Sequence, residues 1–190
     1  MNTLGGLRVA DPNPEDEFLN EYGDLLVWSR LTGVLDESNA ERLARMSRAR
    51  RAEAARAFSH TLELRALVDR VFRSIAEGRA PAERDLLRLR DEASQALERG
   101  RLTPHGDAFQ WSWPEPTELE APLWPLAHAA AELLTSGPLE RLRCCARCRW
   151  LFLDESRNRS RRWCSMVECG TAVKKERYVE RRRARRERGS

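Results

Sequence analysis

Four cysteines in the last third of the chain have the type and spacing of metal ligands. Cys145 and Cys148 are separated by two residues, and after fifteen intervening residues Cys164 and Cys169 form a second pair. A two-residue gap lets both thiolates of a pair face one ion, and the connecting loop is long enough to bring the second pair to the other side of a tetrahedron. Soft thiolates favour Zn²⁺ over hard cations, and four of them leave no coordination position for water. The spacing therefore predicts a structural zinc site rather than a catalytic one.

Other uses of these thiols fit the pattern less well. A redox Cys-x-x-Cys pair would need a strand–helix–strand context and would not need a second pair. Unrelated buried cysteines would not all fall between residues 144 and 169. The spacing leaves iron–sulfur ligation open, and it also leaves Cys144 as an alternative to Cys145 for the first ligand.

The charge of the chain is divided unevenly between its two ends. The 190 residues carry a formal net charge of +4, but residues 141–190 hold 17 basic and 6 acidic side chains. That segment has a net charge of +11, and residues 1–140 have a net charge of −7. So strong a separation favours a polyanionic partner for the basic segment.

A basic helix is predicted directly after the last cysteine, over residues 171–188. At 3.6 residues per turn, five of its cations share one face and three more flank that face. The face comprises Lys174, Arg177, Arg181, Arg185 and Arg188, with Lys175, Arg182 and Arg186 beside it. The loop between the cysteine pairs adds Arg157, Arg159, Arg161 and Arg162. We expect these side chains to neutralise DNA phosphates, with those near the helix start able to reach base edges. The alternative is a solvated basic tail without a specific partner.

The sequence before residue 137 has mainly helical periodicity, with apolar residues every three or four positions. The helical stretches cover residues 17–31, 38–77, 81–100 and 121–134. The second is too long for an ordinary globular helix, so we expect a break between Met46 and Glu53. The alternation of Phe109, Trp111 and Trp113 predicts a strand, half of a short hairpin. The predicted fold is mainly α: a helical bundle with one small β-hairpin, followed by a small four-cysteine zinc finger and a basic C-terminal helix.

Local signals indicate where these helices begin and end. Ser38 or Asn39 is a suitable N-cap for the second stretch, and Pro81 is expected in the first turn of the third. Gly33 and Gly78 are expected to end the helices before them.

Common catalytic motifs are missing from the sequence. It holds no phosphate-binding loop, dinucleotide-binding glycine set, Gly-x-Ser-x-Gly or His-Glu-x-x-His motif. The three histidines, His60, His105 and His128, are scattered over separate predicted elements and form no site by spacing. We therefore expect no enzymatic activity. Residues 1–11 lack the features of a signal peptide, and no apolar run is long enough to cross a bilayer, so we expect a cytoplasmic protein without membrane contact.

The segment around the cysteines resembles the CGNR zinc finger. The resemblance covers residues 141 to about 175 and rests on Arg149-Trp-Leu-Phe-Leu-Asp154, Ser156-Arg-Asn158, and Arg161-Arg-Trp-Cys-Ser-Met166 followed by Cys169-Gly170. The tetrad that names the family reads Cys169-Gly170-Thr171-Ala172 here, so the family's Asn and Arg are missing. Any contact made by that Asn and Arg is lost or transferred to Lys174, Lys175 or Arg177.

Upstream stretches resemble the ABATE domain, which precedes this finger in bacterial stress-related transcription regulators. They are Tyr22-x-Asp24-Leu-Leu-x-Trp28, Ala121-Pro-Leu-Trp-Pro-Leu126 and Leu133-Leu134-Thr135-Ser136. The usual Leu-Asp-apolar-x-Asn-Thr opening of that domain is not found in residues 1–14. The resemblance implies transcription regulation, with small-molecule sensing by the helical domain.

The motifs, the charge and the resemblance together predict a zinc-dependent, DNA-binding transcription regulator. We expect residues 1–140 to form an ABATE-like helical domain for dimerisation or ligand sensing, and residues 141–190 to form the finger and its basic helix. The expected cofactor is Zn²⁺ and the expected partner is double-stranded DNA, with a homodimer and a small-molecule effector as further expectations. The alternative is an RNA-binding or protein-interaction zinc module.

Overall fold

The computed structural model describes residues 17–187, and most of this part of the chain is helical. The bundle consists of α1 (Tyr22–Leu31), α2 (Glu37–Ala49), α3 (Arg51–Ala76), α4 (Glu83–Arg99) and α5 (Leu123–Ser136). A hairpin of β1 (Arg101–His105) and β2 (Ala108–Ser112) joins α4 to α5. A short 3-10 turn (Leu139–Arg141) leads to β3 (Leu142–Cys144) and β4 (Leu151–Leu153), and then come the turn Met166–Gly170 and helix α6 (Thr171–Glu187). The predicted architecture, mainly α with a small hairpin and a C-terminal cysteine region, is confirmed.

The first helix is shorter than its apolar pattern predicts. Asp24 Oδ2 accepts hydrogen bonds from the backbone N–H groups of Asn20 at 2.7 Å and Glu21 at 3.1 Å. This carboxylate binds the chain just before the helix, so that Glu21 becomes the N-cap and α1 begins at Tyr22. The prediction that the helix includes Phe18 was wrong, and Phe18 is 62% exposed.

The long helical stretch is interrupted at Arg50, as predicted for the region between Met46 and Glu53. Arg50 has φ −124° and ψ 57°, outside the helical region, and it separates α2 from α3. The break lets α2 fold back beside α1, while α3 continues through the centre of the bundle.

Two of the predicted helix starts were wrong. Asp36, rather than Ser38 or Asn39, is the N-cap of α2, and its Oδ1 accepts the backbone N–H of Asn39 at 2.8 Å. Helix α4 begins at Glu83 after the N-cap Ala82, so Pro81 lies before the first turn.

The bundle encloses two apolar clusters. The larger cluster packs α3, α4 and α5 around Leu64, Val71, Leu89 and Ala127. The smaller cluster packs α1 and α2 on the first half of α3 around Leu25, Leu43 and Ala57. Burial of this apolar surface is the main force that holds α3 at the centre.

The hairpin between α4 and α5 is shorter than predicted at its C-terminal end. Its strands pair with Leu102 opposite Trp111, and Gly106 adopts a positive φ of 59° in the turn. Strand β2 ends at Ser112, because Trp113 turns back and donates its Nε1–H to the carbonyl of Ala96 at 2.9 Å. The prediction that Trp113 belongs to the strand was wrong.

A second hairpin, which the sequence did not predict, places the cysteine region on the helical bundle. Strands β3 and β4 pair with Leu142 opposite Leu153, and Leu142 is buried in the larger apolar cluster. On the same side, Arg73 of α3 donates hydrogen bonds to Cys144 Sγ at 3.3 Å and to the carbonyl of Arg149 at 3.0 Å. The last turns of α3 therefore support the hairpin that carries the first cysteine pair.

Candidate metal centre

The four predicted cysteines lie together in the folded chain. The sulfur atoms of Cys145, Cys148, Cys164 and Cys169 are all within 4.8 Å of one another. The Cys148 and Cys164 sulfurs are 3.4 Å apart, and the Cys164 and Cys169 sulfurs are 3.7 Å apart. Zinc–sulfur bonds of about 2.3 Å in a tetrahedron require sulfur–sulfur separations of about 3.8 Å. The four sulfurs are thus spaced to hold one Zn²⁺.

The first cysteine pair lies in the turn that connects β3 to β4. The backbone N–H of Cys145 donates to the carbonyl of Trp150 at 2.8 Å, and the N–H of Arg149 donates to the carbonyl of Cys145 at 3.0 Å. Arg149 has a positive φ of 59°, which lets the chain reverse within the few residues available. This tight turn brings Cys145 and Cys148 to the same side of the hairpin.

Cys144 lies outside the metal centre. Its Sγ accepts a hydrogen bond from Arg73 and donates to the carbonyl of Arg149 at 3.2 Å. Cys144 is the last residue of β3 and contacts Arg73 of α3, whereas Cys145 is the first residue of the following turn and its sulfur lies with the other three thiols. Of the two first ligands that the spacing left open, the structure brings Cys145 to the cluster.

The second cysteine pair lies directly before the basic helix. Ser165 caps this turn, because its Oγ accepts the backbone N–H of Glu168 at 3.1 Å and its carbonyl accepts the N–H of Gly170 at 3.1 Å. Cys169 lies in the turn Met166–Gly170, and α6 begins two residues later at Thr171. The last sulfur ligand and the start of the basic helix therefore belong to one continuous piece of backbone.

Without a bound cation, the four thiols would not all be ionised together. Burial raises the pKa of Cys164 to about 11, and burial raises that of Cys148 well above its usual range. Burial also opposes ionisation of Cys145, but backbone N–H groups of Cys148 and Arg147 outweigh it and lower the pKa of Cys145 to about 6. Four thiolates cannot share so small a volume unless a cation compensates their charge. This donor set suits zinc, which binds thiolates and needs no open position here.

A small apolar shell surrounds the sulfurs. Trp150, Phe152 and Trp163 pack against the buried cysteines, partly shielding them from solvent. Since this cluster is too small to fold such a loop by itself, the metal must supply much of the folding free energy of the finger.

Asp154 organises the loop between the two cysteine pairs. This side chain is fully buried, and its two carboxylate oxygens accept the backbone N–H groups of Ser156 and Arg161, each at 2.9 Å. Hydrogen bonds from Ser156 hold the pKa of Asp154 below its usual range, so the carboxylate stays charged. Arg141 donates to the carbonyl of Asp154 at 2.9 Å and fixes the other side of the loop. The sequence analysis missed this role, although Asp154 is part of the motif that resembles the finger family.

Among the four loop arginines, Arg161 differs from the other three. Its guanidinium donates to the carbonyls of Trp163 and Cys164 and lies 5.4 Å from the centre of the Phe152 ring. Its guanidinium thus braces the second cysteine pair, and its expected contact with DNA stays a prediction. Arg157, Arg159 and Arg162 are exposed, with Arg159 3.4 Å from Glu140 and Arg162 over the Trp163 ring.

A further arginine, which the sequence analysis did not single out, connects the first cysteine pair to α6. Arg147 lies between Cys145 and Cys148, and its Nη2 is 3.0 Å from Oε1 of Glu176 on α6. Nothing in the residue type distinguishes Arg147 from its many neighbours in sequence, so only the folded geometry shows this contact.

The basic helix presents cations to solvent along its described length. Lys174, Lys175, Arg181 and Arg182 are exposed, and the Arg182 guanidinium lies 5.8 Å from the Tyr178 ring centre. Arg177 and Arg185 lie in α6, but their side chains are outside the part that the structure describes, as is all of Arg188. The predicted helix is present, directly after the metal centre.

Two known protein families match successive parts of the chain. Residues 1–137, more than half of the chain, match the ABATE model, described as a putative stress-induced transcription regulator. The chain belongs to the ABATE family. Residues 141–182 of this ABATE protein match the CGNR zinc finger, in the order that the sequence predicts. No curated protein matches the chain at a significant level.

The ABATE family is described as a family of regulators, and this member also carries a zinc-binding cysteine cluster. Neither family description names an enzymatic activity. Among the described helices of the ABATE protein, none combines the length and the apolar character needed to cross a membrane.

Proposed function

We propose that this ABATE protein is a cytoplasmic transcription regulator that binds double-stranded DNA through a zinc-organised basic helix. Cys145, Cys148, Cys164 and Cys169 hold one structural Zn²⁺, which supplies folding energy and takes no part in a reaction. Residues 141–190 form the DNA-binding unit, and residues 1–140 form the regulatory unit, through dimerisation or ligand sensing.

The observation that carries this proposal is the continuity between the metal centre and α6. Cys169 and Thr171 are separated by one residue, so the orientation of the helix is set by a ligand of the metal. Arg147 fixes the same helix from the first cysteine pair through Glu176. A helix held at its start can present cations to a duplex at a defined angle, whereas a free basic tail cannot.

The exposed cations then have distinct roles. Lys174 and Lys175 lie within the first two turns of α6, from which long side chains can reach base edges in a major groove. Later side chains of the helix and the loop arginines contact phosphates; they are Arg177, Arg181, Arg182, Arg185, Arg157, Arg159 and Arg162. Six to eight such contacts give a slope of log K against log salt of about −5 to −7, from about −0.9 per contact.

Competition binding tests this proposal against RNA and protein partners. The zinc-loaded full chain is bound to a labelled mixture of duplex DNA fragments and challenged with unlabelled duplex DNA or structured RNA at matched ionic strength. Duplex DNA should displace the probe at lower concentration, with the steep salt slope given above. Stronger competition by RNA, or a slope near zero, would contradict the assignment to DNA.

A further inference from the structure

A cavity of about 310 Å³ lies where the zinc-finger hairpin meets the helical bundle. Helices α3 and α5 form one side through residues such as Phe72 and Leu133, and the β3–β4 hairpin forms the other through Leu142, Phe152 and Leu153. This volume is within the range of sites that bind small molecules, which are commonly found between domains. The cavity is therefore a site whose walls belong to both units of the chain.

The lining restricts the ligand to uncharged, largely apolar compounds. Most of the wall is aliphatic or aromatic, with Trp28 and Phe72 from the bundle and Phe152 from the hairpin. Two charged residues, Arg65 and Asp69, complete the lining described by the structure, and both already have ionic partners within the protein.

These two ion pairs are close and bidentate. Arg65 donates to both carboxylate oxygens of Glu17 at 2.7 Å, and Asp69 accepts from Arg73 at 2.6 Å and 2.9 Å. An ionic ligand would have to break one of these pairs to find a counter-charge, whereas an apolar ligand would gain from burial against the rings.

We propose that this cavity binds an uncharged aromatic or aliphatic small molecule, and that its occupancy is coupled to the zinc finger. The proposed binding site is inferred from the cavity alone. The effect of the ligand on DNA affinity rests on the proposed DNA-binding function. Two chains of contacts connect the cavity wall with the metal centre, one for each cysteine pair.

The first chain of contacts leads from Asp69 to the first cysteine pair. Asp69 holds the guanidinium of Arg73, and Arg73 donates to the carbonyl of Arg149 and to Sγ of Cys144. Arg149 directly follows the ligand Cys148. A ligand that moves Asp69 and Arg73 together would therefore shift the turn that carries this pair.

The second chain of contacts leads from Phe152 to the second cysteine pair. The ring of Phe152 lines the cavity and also lies 5.4 Å from the guanidinium of Arg161. Arg161 in turn donates to the carbonyls of Trp163 and of the ligand Cys164. A ligand that changes the position of Phe152 would act on the segment that leads to α6.

The binding half of the proposal is tested with N-phenyl-1-naphthylamine, an uncharged aromatic probe that fluoresces in apolar sites. Ala129 of α5 lines the cavity but is itself exposed, so Ala129→Phe can fill the cavity without disturbing the core. Thr135→Phe is the matched control, because Thr135 is exposed on the opposite side of the same helix. We expect saturable binding of one probe per chain, weakened at least tenfold by Ala129→Phe and less than twofold by Thr135→Phe. Absence of saturable binding, or equal affinity of both variants, would overturn the site.

The coupling half is tested by measuring the same probe affinity before and after zinc removal with a chelator. Since the hairpin supplies one wall, zinc removal should weaken probe binding about tenfold, and restored zinc should recover it. By reciprocity, saturating probe should change the DNA affinity of the wild-type chain but not that of Ala129→Phe. Probe affinity that is independent of zinc would overturn the coupling. Failure to bind DNA at all would instead contradict the proposed function and leave the probe measurement standing.

Discussion

Nη2 of Arg147 and Oε1 of Glu176 lie 3.0 Å apart, which joins the turn of the first cysteine pair to the basic helix 29 residues further along the chain. The Arg147 side chain is mostly buried, whereas that of Glu176 is exposed. An ion pair with one exposed partner contributes at most about 1 kcal/mol to stability. We therefore expect the Arg147–Glu176 ion pair to affect mainly the orientation of α6 and to change the free energy of unfolding little.

Replacement of Glu176 shows whether the contact with Arg147 orients α6 or whether only the charge of the helix affects DNA binding. Glu176→Gln makes the helix more positive, so a helix that acts only through its charge should bind DNA more tightly. If the contact with Arg147 orients the helix, affinity should instead fall about two- to fivefold, the equivalent of about 0.5–1 kcal/mol. Glu180→Gln, at an exposed position of the same helix, makes the same change of charge and should not weaken binding. Fluorescence anisotropy with labelled duplex DNA measures both, and tighter binding by the two variants alike would contradict the orienting role.

The cysteine assignment predicts opposite outcomes for two nearby residues. Cys148→Ser removes a metal ligand and should lose stoichiometric zinc, with unfolding of residues 144–169 and retention of most helical circular dichroism. Cys144→Ser leaves the sulfur cluster intact and should keep one zinc per chain. Metal analysis of both purified variants gives the comparison. Loss of zinc from Cys144→Ser, with zinc retained by Cys148→Ser, would contradict the assignment.

How far the sequence predicts the metal centre depends on how local each feature is. The ligand spacing is a local property, so the two cysteine pairs could be predicted without coordinates. The choice between Cys144 and Cys145 could not, because it depends on where β3 ends and the turn that carries Cys145 begins. A strand of that length has too few residues to show alternation, and this is also why the second hairpin was missed.

Features that depend on contacts between residues far apart in the chain could not be predicted from the sequence. In the sequence, Arg161 cannot be distinguished from the other loop arginines. In the structure, its guanidinium donates hydrogen bonds to the backbone carbonyls of Trp163 and Cys164. The docking of the finger on α3 rests on contacts such as that between Arg73 and Cys144, which are 71 residues apart. The helix starts at Tyr22 and Glu37 were missed for a different, local reason: Asp24 and Asp36 bind nearby backbone N–H groups, and apolar periodicity does not reveal such contacts.

The buried junction between finger and bundle predicts that a finger residue stabilises the helices. Leu142 belongs to β3, but it is 4% exposed within the apolar cluster of α3, α4 and α5. Leu142→Ala should reduce the free energy of unfolding of the bundle by about 2–4 kcal/mol, as for other buried leucines. Val167→Ala, at an 82% exposed position of the finger, should change it by less than about 0.5 kcal/mol. Urea unfolding followed by circular dichroism distinguishes the two, and a Leu142→Ala effect as small as that of Val167→Ala would contradict the junction.

A histidine in the bundle predicts a pH dependence of stability. Nε2 of His60 is 2.9 Å from Glu92 and Nδ1 is 3.3 Å from Glu120, while Arg88 pairs with the same Glu92 at 2.8 Å. Burial disfavours the charged imidazolium, but the two carboxylates outweigh it and raise the pKa of His60. Its contribution to stability is therefore fully present below the unfolded pKa of about 6.5 and is lost as the pH rises through the folded pKa.

Substitution of His60 tests this sign. The stability difference between the wild-type chain and His60→Gln should be larger at pH 6 than at pH 8.5, with zinc in excess at both values. Urea unfolding gives the four free energies, and NMR titration of the imidazole gives the pKa directly. A difference that grows as the pH rises would show that the carboxylates do not stabilise the charged form.

The central claim is that zinc on four thiolates makes the basic helix competent to bind DNA. The most direct measurement is the Kd for duplex DNA of one preparation of the full chain as zinc-loaded protein, after chelation, and after zinc is restored. The account predicts tight binding by the loaded protein, a loss of at least tenfold on chelation, and full recovery with one equivalent of zinc. Equal affinity in all three states would contradict it, because the basic segment would then bind DNA without the metal centre.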